Sequence, residues 1–196
     1  LEPSGKEWTN HGIRRSFRYW SVGEKKDYIA ATMQVIEDLG SLSKNVCLGF
    51  GSVLAAVRDH DLLPHDDDMD IIISFEPSRS PDIATARKLV REHLEAKGYV
   101  VEGDGFFSLW NVYSNQLKLD VFVGIHEGDG TVGWHPGPRG KLKHKDVFPA
   151  KKATLLGVKC IIPKNPEKYL AVTYGKDWRS PEPSHRHDWN LSAYKD

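Results

Sequence analysis

A chain of 196 residues suits one domain built on a single core. Lys plus Arg and Asp plus Glu each total 27, so the formal charge is zero; this excludes a general polyanion binder, and with it nucleic acid as a partner. Hydrophobic residues make up 39%, as in a folded globular chain, yet the longest apolar runs are only a few residues, so no transmembrane segment is expected.

Residues 1–23 are polar with scattered aromatics (Trp8, Phe17, Tyr19, Trp20) and read as an arm packed on the domain. No secretory signal is read in them, and a chain that opens on Leu1 can be an excised domain. The domain proper is expected over 24–182, with a polar tail over 183–196. Ile29, Met33, Ile36 and Leu39 stand at helical spacing, with Gly40 as a stop. Val46 to Phe50 reads as a short buried strand, Ser52 to Arg58 as one or two helical turns, and Met69 to Phe75 as a strand ended by Pro77. Pro81 opens a helix running to Lys97, followed by Gly98.

From Tyr99 the period changes to two. Phe106–Tyr113 and Leu117–Val123 read as strands joined at Ser114-Asn115-Gln116. Residues 126–145, rich in Gly, His and Lys, read as a mobile loop. Leu155 to Pro163 contains further strand, and Pro166 to Tyr174 a short helix ending at Gly175. Cys47 and Cys160 lie in apolar strand-like runs and read as core residues, leaving the redox compartment open. The order of elements predicts an α+β domain with a mixed central sheet and flanking helices.

Three acids interrupt this pattern. Asp68 and Asp70 stand at i and i+2 at the head of an apolar strand, so their side chains share a face. Asp120 replaces an expected apolar residue in Leu117–Val123. If the two strands are neighbours, three carboxylates converge, and burying like charges together is costly without a cation. Such a set can hold two Mg²⁺ (or Mn²⁺) ions roughly 3.5–4 Å apart for in-line displacement at phosphorus. Gly51-Ser52 opens a short helix whose N–H groups suit phosphate, and Arg58 can add a bidentate contact.

Each element has a plainer reading. Gly51-Ser52 can be an ordinary helix start, Asp66 and Asp67 a solvated acidic loop, and Asp120 an ion-pair partner of Lys118 or Arg58. His126, His135, His144 and His185-Arg186-His187, with Cys160, match no standard zinc spacing, so zinc is not expected. Lys141, Lys143 and Lys145 fit a solvated loop better than a phosphate contact, and Trp110 and Phe107 fit the core better than a nucleobase platform.

Gly49 to Ile73 resembles the signature of the LicD and fukutin family, a branch of the nucleotidyltransferase superfamily with a polymerase-β-like fold. The matching positions are Gly51, Ser52, Val53-Leu54-Ala55-Ala56-Val57-Arg58, Pro64, His65 and Asp66 to Ile71. Further matches are Lys118-Leu119-Asp120-Val121-Phe122, Phe148-Pro149, Val158 to Pro163, Tyr169-Leu170, Tyr174-Gly175, Trp178 and Pro181. Asp59, Asp61 and His65 depart from the His, Gly and Trp common in the family. The resemblance implies transfer of a phospho-alcohol (phosphocholine, ribitol phosphate or glycerol phosphate) from a CDP-linked donor to a glycan hydroxyl. It implies Asp68, Asp70 and Asp120 as metal-binding and catalytic residues, and Gly51, Ser52, Arg58, His65 and Asp66 as substrate-binding residues. The bacterial cytoplasm or its membrane face, or a Golgi lumen in a eukaryote, is the compartment it implies. Two rivals stand beside it: an NTP-dependent nucleotidyltransferase releasing pyrophosphate, and an inactive glycan-binding module on the same fold.

Overall fold

The computed structural model describes residues 5–9, 11–103, 109–115, 117–134, 137 and 139–182. Phe107, the start of the strand expected from Phe106, Gln116, His135 and the 183–196 tail with His185 and His187 lie outside them.

Five strands form the main path of one sheet, in the order β3 (Val46–Leu48), β4 (Met69–Phe75), β7 (Leu117–His126), β6 (Leu109–Ser114) and β5 (Val100–Glu102). β4 and β7 are parallel and the other neighbours antiparallel, which is the mixed sheet expected. Beyond the end of β6, β7 pairs with β8 (Thr131–Trp134), which pairs in turn with β9 (Leu142–Lys143). The segment expected as a loop over 126–145 therefore contains sheet. Its strands are too short to show a period, but Val132, Trp134 and Leu142 are buried, and the Trp134 indole N–H donates to the Ile73 carbonyl at 3.0 Å.

Helix α1 (Val22–Gly40) starts at a capping box: Ser21 Oγ accepts from the Glu24 N–H, and Glu24 Oε2 from the Ser21 N–H. Its inner stripe, Tyr28, Ile29, Thr32, Val35, Ile36 and Leu39, follows the helical period. Each large apolar side chain buried there contributes roughly 1.5–3 kcal/mol. Helix α3 (Ile83–Ala96) begins two residues after Pro81, because the Asp82 carboxylate caps it through the Thr85 N–H. Thr32 Oγ1 on Met69 Sδ, and the Trp110 indole N–H on the Arg87 carbonyl, seat α1 and α3 on the sheet face that carries Met69, Ile71 and Val121.

Helix α2 (Phe50–Leu54) takes the opposite face. It starts two residues earlier than expected and runs on as a π-turn, Ala55–Asp59, ended by His60 at φ +55°. The hairpin of β10 (Lys151–Leu155) and β11 (Val158–Ile162) turns at Leu156-Gly157, both at positive φ. Short α4 (His144–Val147) precedes it. Helix α5 (Pro166–Tyr174) follows and ends at Gly175, as expected, with Asn165 as its N-cap. Cys47 and Cys160 are both buried and free. At the other end of the chain, hairpin β1 (Glu7–Thr9) and β2 (Gly12–Arg14) forms the arm, held by Phe17 N–H to the Asp66 carbonyl. Among the described residues, no helix is long and apolar enough to cross a membrane.

Candidate active site

The parallel register of β4 and β7 pairs Asp70 with Asp120. Asp68 lies two residues before Asp70, so alternation carries all three acids to the face covered by α2. Two glycines let α2 come this close. A Cβ on Gly49 would stand 2.6 Å from Ile72 Cγ2, and one on Gly51 would stand 3.0 Å from Asp66 Oδ2 and 3.5 Å from Asp70 Oδ2. Phe50 between them adopts φ +36°, a conformation that a bulky side chain rarely takes. The turn fixes Asp70 at three points. Gly49 N–H donates to its carbonyl (2.9 Å), Gly51 N–H to its Oδ2 (3.1 Å), and its own N–H donates to Ser52 Oγ (2.8 Å). Gly51 thus holds the Asp70 carboxylate and Ser52 its backbone N–H, and a five-residue helix offers little macrodipole beyond that.

The charges are unbalanced. Asp68 and Asp120 are each 5% exposed, while Asp66 and Asp70 are half-buried. Desolvation, followed by the charge of Asp68, holds the carboxyls of Asp66, Asp70 and Asp120 above the ordinary range. The Lys118 ammonium stands 2.7 Å from both Asp68 Oδ2 and Asp120 Oδ1. Burial pulls Lys118 down, but these two acids outweigh it and keep the ammonium above its usual value. Only the contact to Asp68 has hydrogen-bond geometry, so buried Asp120 Oδ1 lacks a hydrogen-bond partner. Of the two partners considered for Asp120 from the sequence, Lys118 is the one present.

Two further residues shape the site, and neither carries a motif. Tyr28 on α1 accepts the Met69 N–H through its hydroxyl at 2.9 Å and donates to the Lys118 carbonyl, tying together the heads of the two acid-bearing strands. His11, beside the β1–β2 turn, reaches Asp67 Oδ1 at 3.0 Å and Asp68 Oδ2 at 3.4 Å. Its hydrogen bond to Asp67 outweighs burial and raises it to about 9. Tyr28 sits one residue before Ile29 on an apolar stripe and reads as core. Nothing local marks His11, whose partners lie more than fifty residues away.

The remaining expected residues are engaged with protein groups. Arg58 directs Nε and Nη2 to the two oxygens of Asp59 (3.0 and 2.8 Å) and Nη1 to the Trp178 carbonyl (3.0 Å). His65 is exposed and meets Arg18 Nη2 through its ring (Nδ1 at 3.0 Å) and Glu7 Oε1 (3.4 Å) on the arm. The positions that depart from the family pattern have partners: Asp59 clamps Arg58, and Asp61 accepts from buried Lys25 at 2.9 Å through both oxygens. Tyr174 of α5 is pushed up by burial and by the charge of Asp70, which places α5 beside this centre.

Converging hard oxygens suit Mg²⁺ or Mn²⁺. Asp68 and Asp120 offer oxygens within 4.8 Å of each other and of His11, and Asp120 Oδ1 lacks a hydrogen bond. The residues present fit such an ion. Of the histidines weighed for zinc from the sequence, His126 and His144 both meet Glu76; His135, His185 and His187 lie outside the described residues, and among those described Cys160 joins no such group.

The family profile of the LicD/FKTN/FKRP nucleotidyltransferase domain matches residues 44–165, which include α2 and all three acids. The chain belongs to this family. No curated protein gives a significant match by sequence. By structure the chain is similar to ANT(2″)-Ia. Against its crystal structure in complex with adenylyl-2″-tobramycin, the TM-score is 0.46 at 14% identity, over 69% of this chain and 68% of that one. Against its solution structure, that of an antibiotic-resistance factor with substrate-regulated conformation dynamics, the TM-score is 0.50 at 12% identity, over 71% and 66%. The second likeness supports what the sheet order and the family already indicate: a nucleotidyltransferase-like α+β fold.

Proposed function

We propose that this LicD-family chain is a metal-dependent phosphotransferase that moves a phospho-alcohol from a CDP-linked donor to a glycan hydroxyl and releases CMP. The observation that carries the reading is the pairing of Asp70 with Asp120 across parallel strands, with Asp68 on the same face.

Asp68, Asp70 and Asp120 would hold two Mg²⁺ or Mn²⁺ ions, Asp68 and Asp70 toward the donor and Asp120 toward the acceptor. When bound, the ions supply positive charge that neutralises the donor phosphates and favours ionisation of the acceptor hydroxyl. The chain's own residues position and neutralise, with no covalent bond to the protein. The Gly51 N–H and Ser52 Oγ keep Asp70 in place, and the missing side chain at Gly51 lets this turn pack against Asp66 and Asp70, so that the turn would serve the donor phosphates through the ions those acids hold. Asp66 flanks the turn on that side. Arg58 has two N–H groups beyond those given to Asp59 and Trp178, and these are its donor contact. Exposed His65, held against Arg18 and Glu7 of the arm, is the remaining substrate contact of this reading. In the transfer, the acceptor oxygen bonds to the phosphorus bearing the alcohol. The bond from that phosphorus to the CMP oxygen breaks, and its electron pair leaves with CMP. The hydroxyl proton passes to Asp120 and then to water.

The test is a mass-spectrometric screen of CDP-choline, CDP-ribitol and CDP-glycerol with glycan acceptors and Mg²⁺, with NTPs in parallel. CMP release coupled to a phospho-alcohol adduct is expected. Asp120→Ala should still bind the donor in calorimetry, while single-turnover transfer falls by about a hundredfold or more. Pyrophosphate release with NTP alone would replace the reading by nucleotidyl transfer. Glycan binding with neither product would replace it by the inactive module.

A further inference from the structure

A second set of ligands closes the opposite end of the same two strands. Glu76 follows β4 directly, His126 is the last residue of β7, and His144 opens α4. Five residues of strand separate Glu76 from Asp70, six steps and so about 20 Å at the usual rise per residue. His126 Nδ1 lies 2.7 Å from Glu76 Oε2, and His144 Nε2 lies 3.5 Å from Glu76 Oε1. One ligand atom from each residue falls within 4.8 Å of the other two. The imidazoles stack at 4.4 Å between centroids with planes 17° apart, packing His144 against both His126 and Phe148.

This arrangement leaves a buried donor atom without use. His144 Nε2 is buried and has no hydrogen-bond partner, although it points toward a carboxylate. A buried polar atom left so is destabilising unless a ligand takes it up. We propose that Glu76, His126 and His144 bind one borderline transition-metal ion, of the class of Zn²⁺, at the end of the sheet remote from the acidic centre. Two imidazoles and one carboxylate make a three-ligand set for zinc that keeps a fourth position open to water. Ligand bonds of about 2.0–2.1 Å at a tetrahedral angle put ligand atoms about 3.3 Å apart. The Glu76–His144 spacing already matches this. The Glu76–His126 pair must open from its hydrogen bond, and one ring must tilt out of the stack, since an ion lies in the plane of each imidazole that binds it. Two imidazole nitrogens make the site a poor one for Mg²⁺, which the hard oxygens of Asp68, Asp70 and Asp120 suit better. The ion would clip β8, β9 and α4 onto the ends of β4 and β7.

The test uses the full chain freed of metal by chelation. Titration with Co²⁺ should give the intense visible d–d absorption of a four- or five-coordinate site at one equivalent, displaced by Zn²⁺. Glu76→Gln, at a half-exposed position that leaves the core intact, should weaken Zn²⁺ binding in calorimetry by about tenfold or more. His126→Gln combined with His144→Gln should abolish the cobalt signal. Asp70→Asn and His11→Gln should leave it unchanged, because they alter only the acidic centre. Absence of the signal in the wild type, its survival in the double variant, or its loss in Asp70→Asn or His11→Gln would overturn the proposal.

Discussion

Lys118 is the residue on which the acidic centre turns. Its ammonium lies between Asp68 and Asp120 at the distance of an ion pair, on the face where the ions would sit. An amine there does electrostatically what a divalent cation would do, with half the charge. It therefore stabilises the metal-free chain and competes with the metal. Lys118→Met is expected to cost about 3 kcal/mol without metal, because two buried carboxylates lose their partner. The same change should tighten Mg²⁺ binding by roughly tenfold, about 1.4 kcal/mol. Thermal melts across a Mg²⁺ series measure both: the variant should melt lower than wild type in chelator and regain roughly half of the gap at high Mg²⁺. A gap that Mg²⁺ does not narrow would place the ion away from Asp68 and Asp120.

At the scale of elements, the segments legible in the sequence were those with internal punctuation. β4 occupies Met69–Phe75 and α5 occupies Pro166–Tyr174, as read, because an unbroken apolar run and an Asn-Pro start with a Gly stop leave little choice. The three acids were legible for the same reason, each violating the pattern of its strand. β8 and β9 were not, since four and two residues cannot display an alternation. Nor were the contacts of His11 and Tyr28, which depend on how the arm and α1 dock on β4. Arg58 lies between these cases: the sequence shows a cation at the end of α2, but not its partners on the π-turn and at Trp178. Arg58→Lys cannot hold Asp59 and the Trp178 carbonyl together and should lose about 1–2 kcal/mol, a melting-point drop of about 2–8 °C. Asp59→Ala should lower the melting point similarly while sparing the guanidinium. Donor KM should rise in Arg58→Lys and stay unchanged in Asp59→Ala; an unchanged KM in both would make Arg58 purely a tie between α2 and the segment after α5.

Over the whole molecule, the fold spends stability to assemble its acidic centre. Asp66, Asp70 and Asp120 are held above the usual carboxylate range by desolvation and by Asp68, so folding opposes their ionisation, and at neutral pH the native state bears that cost. Asp70 is the group to neutralise. Its amide analogue keeps the shape, keeps an oxygen for the Gly51 N–H, and removes one charge from the repelling set. Without metal, Asp70→Asn should therefore melt higher than wild type, by a few degrees for about 1 kcal/mol. With Mg²⁺ the order should reverse. Wild type gains about 2.7 kcal/mol at a hundredfold excess of ion over its dissociation constant, while the variant gains little. Turnover should be lost although the fold is more stable. Because Glu76 lies at the far pole of the same strands, Asp70→Asn and Glu76→Gln should add in stability to within about 0.5 kcal/mol. Paired melts in chelator, Mg²⁺ and Zn²⁺ decide the matter. A metal-free Asp70→Asn that melts below wild type would mean that the carboxylate stabilises the fold through its backbone ties, and that the acids are not held together at a cost.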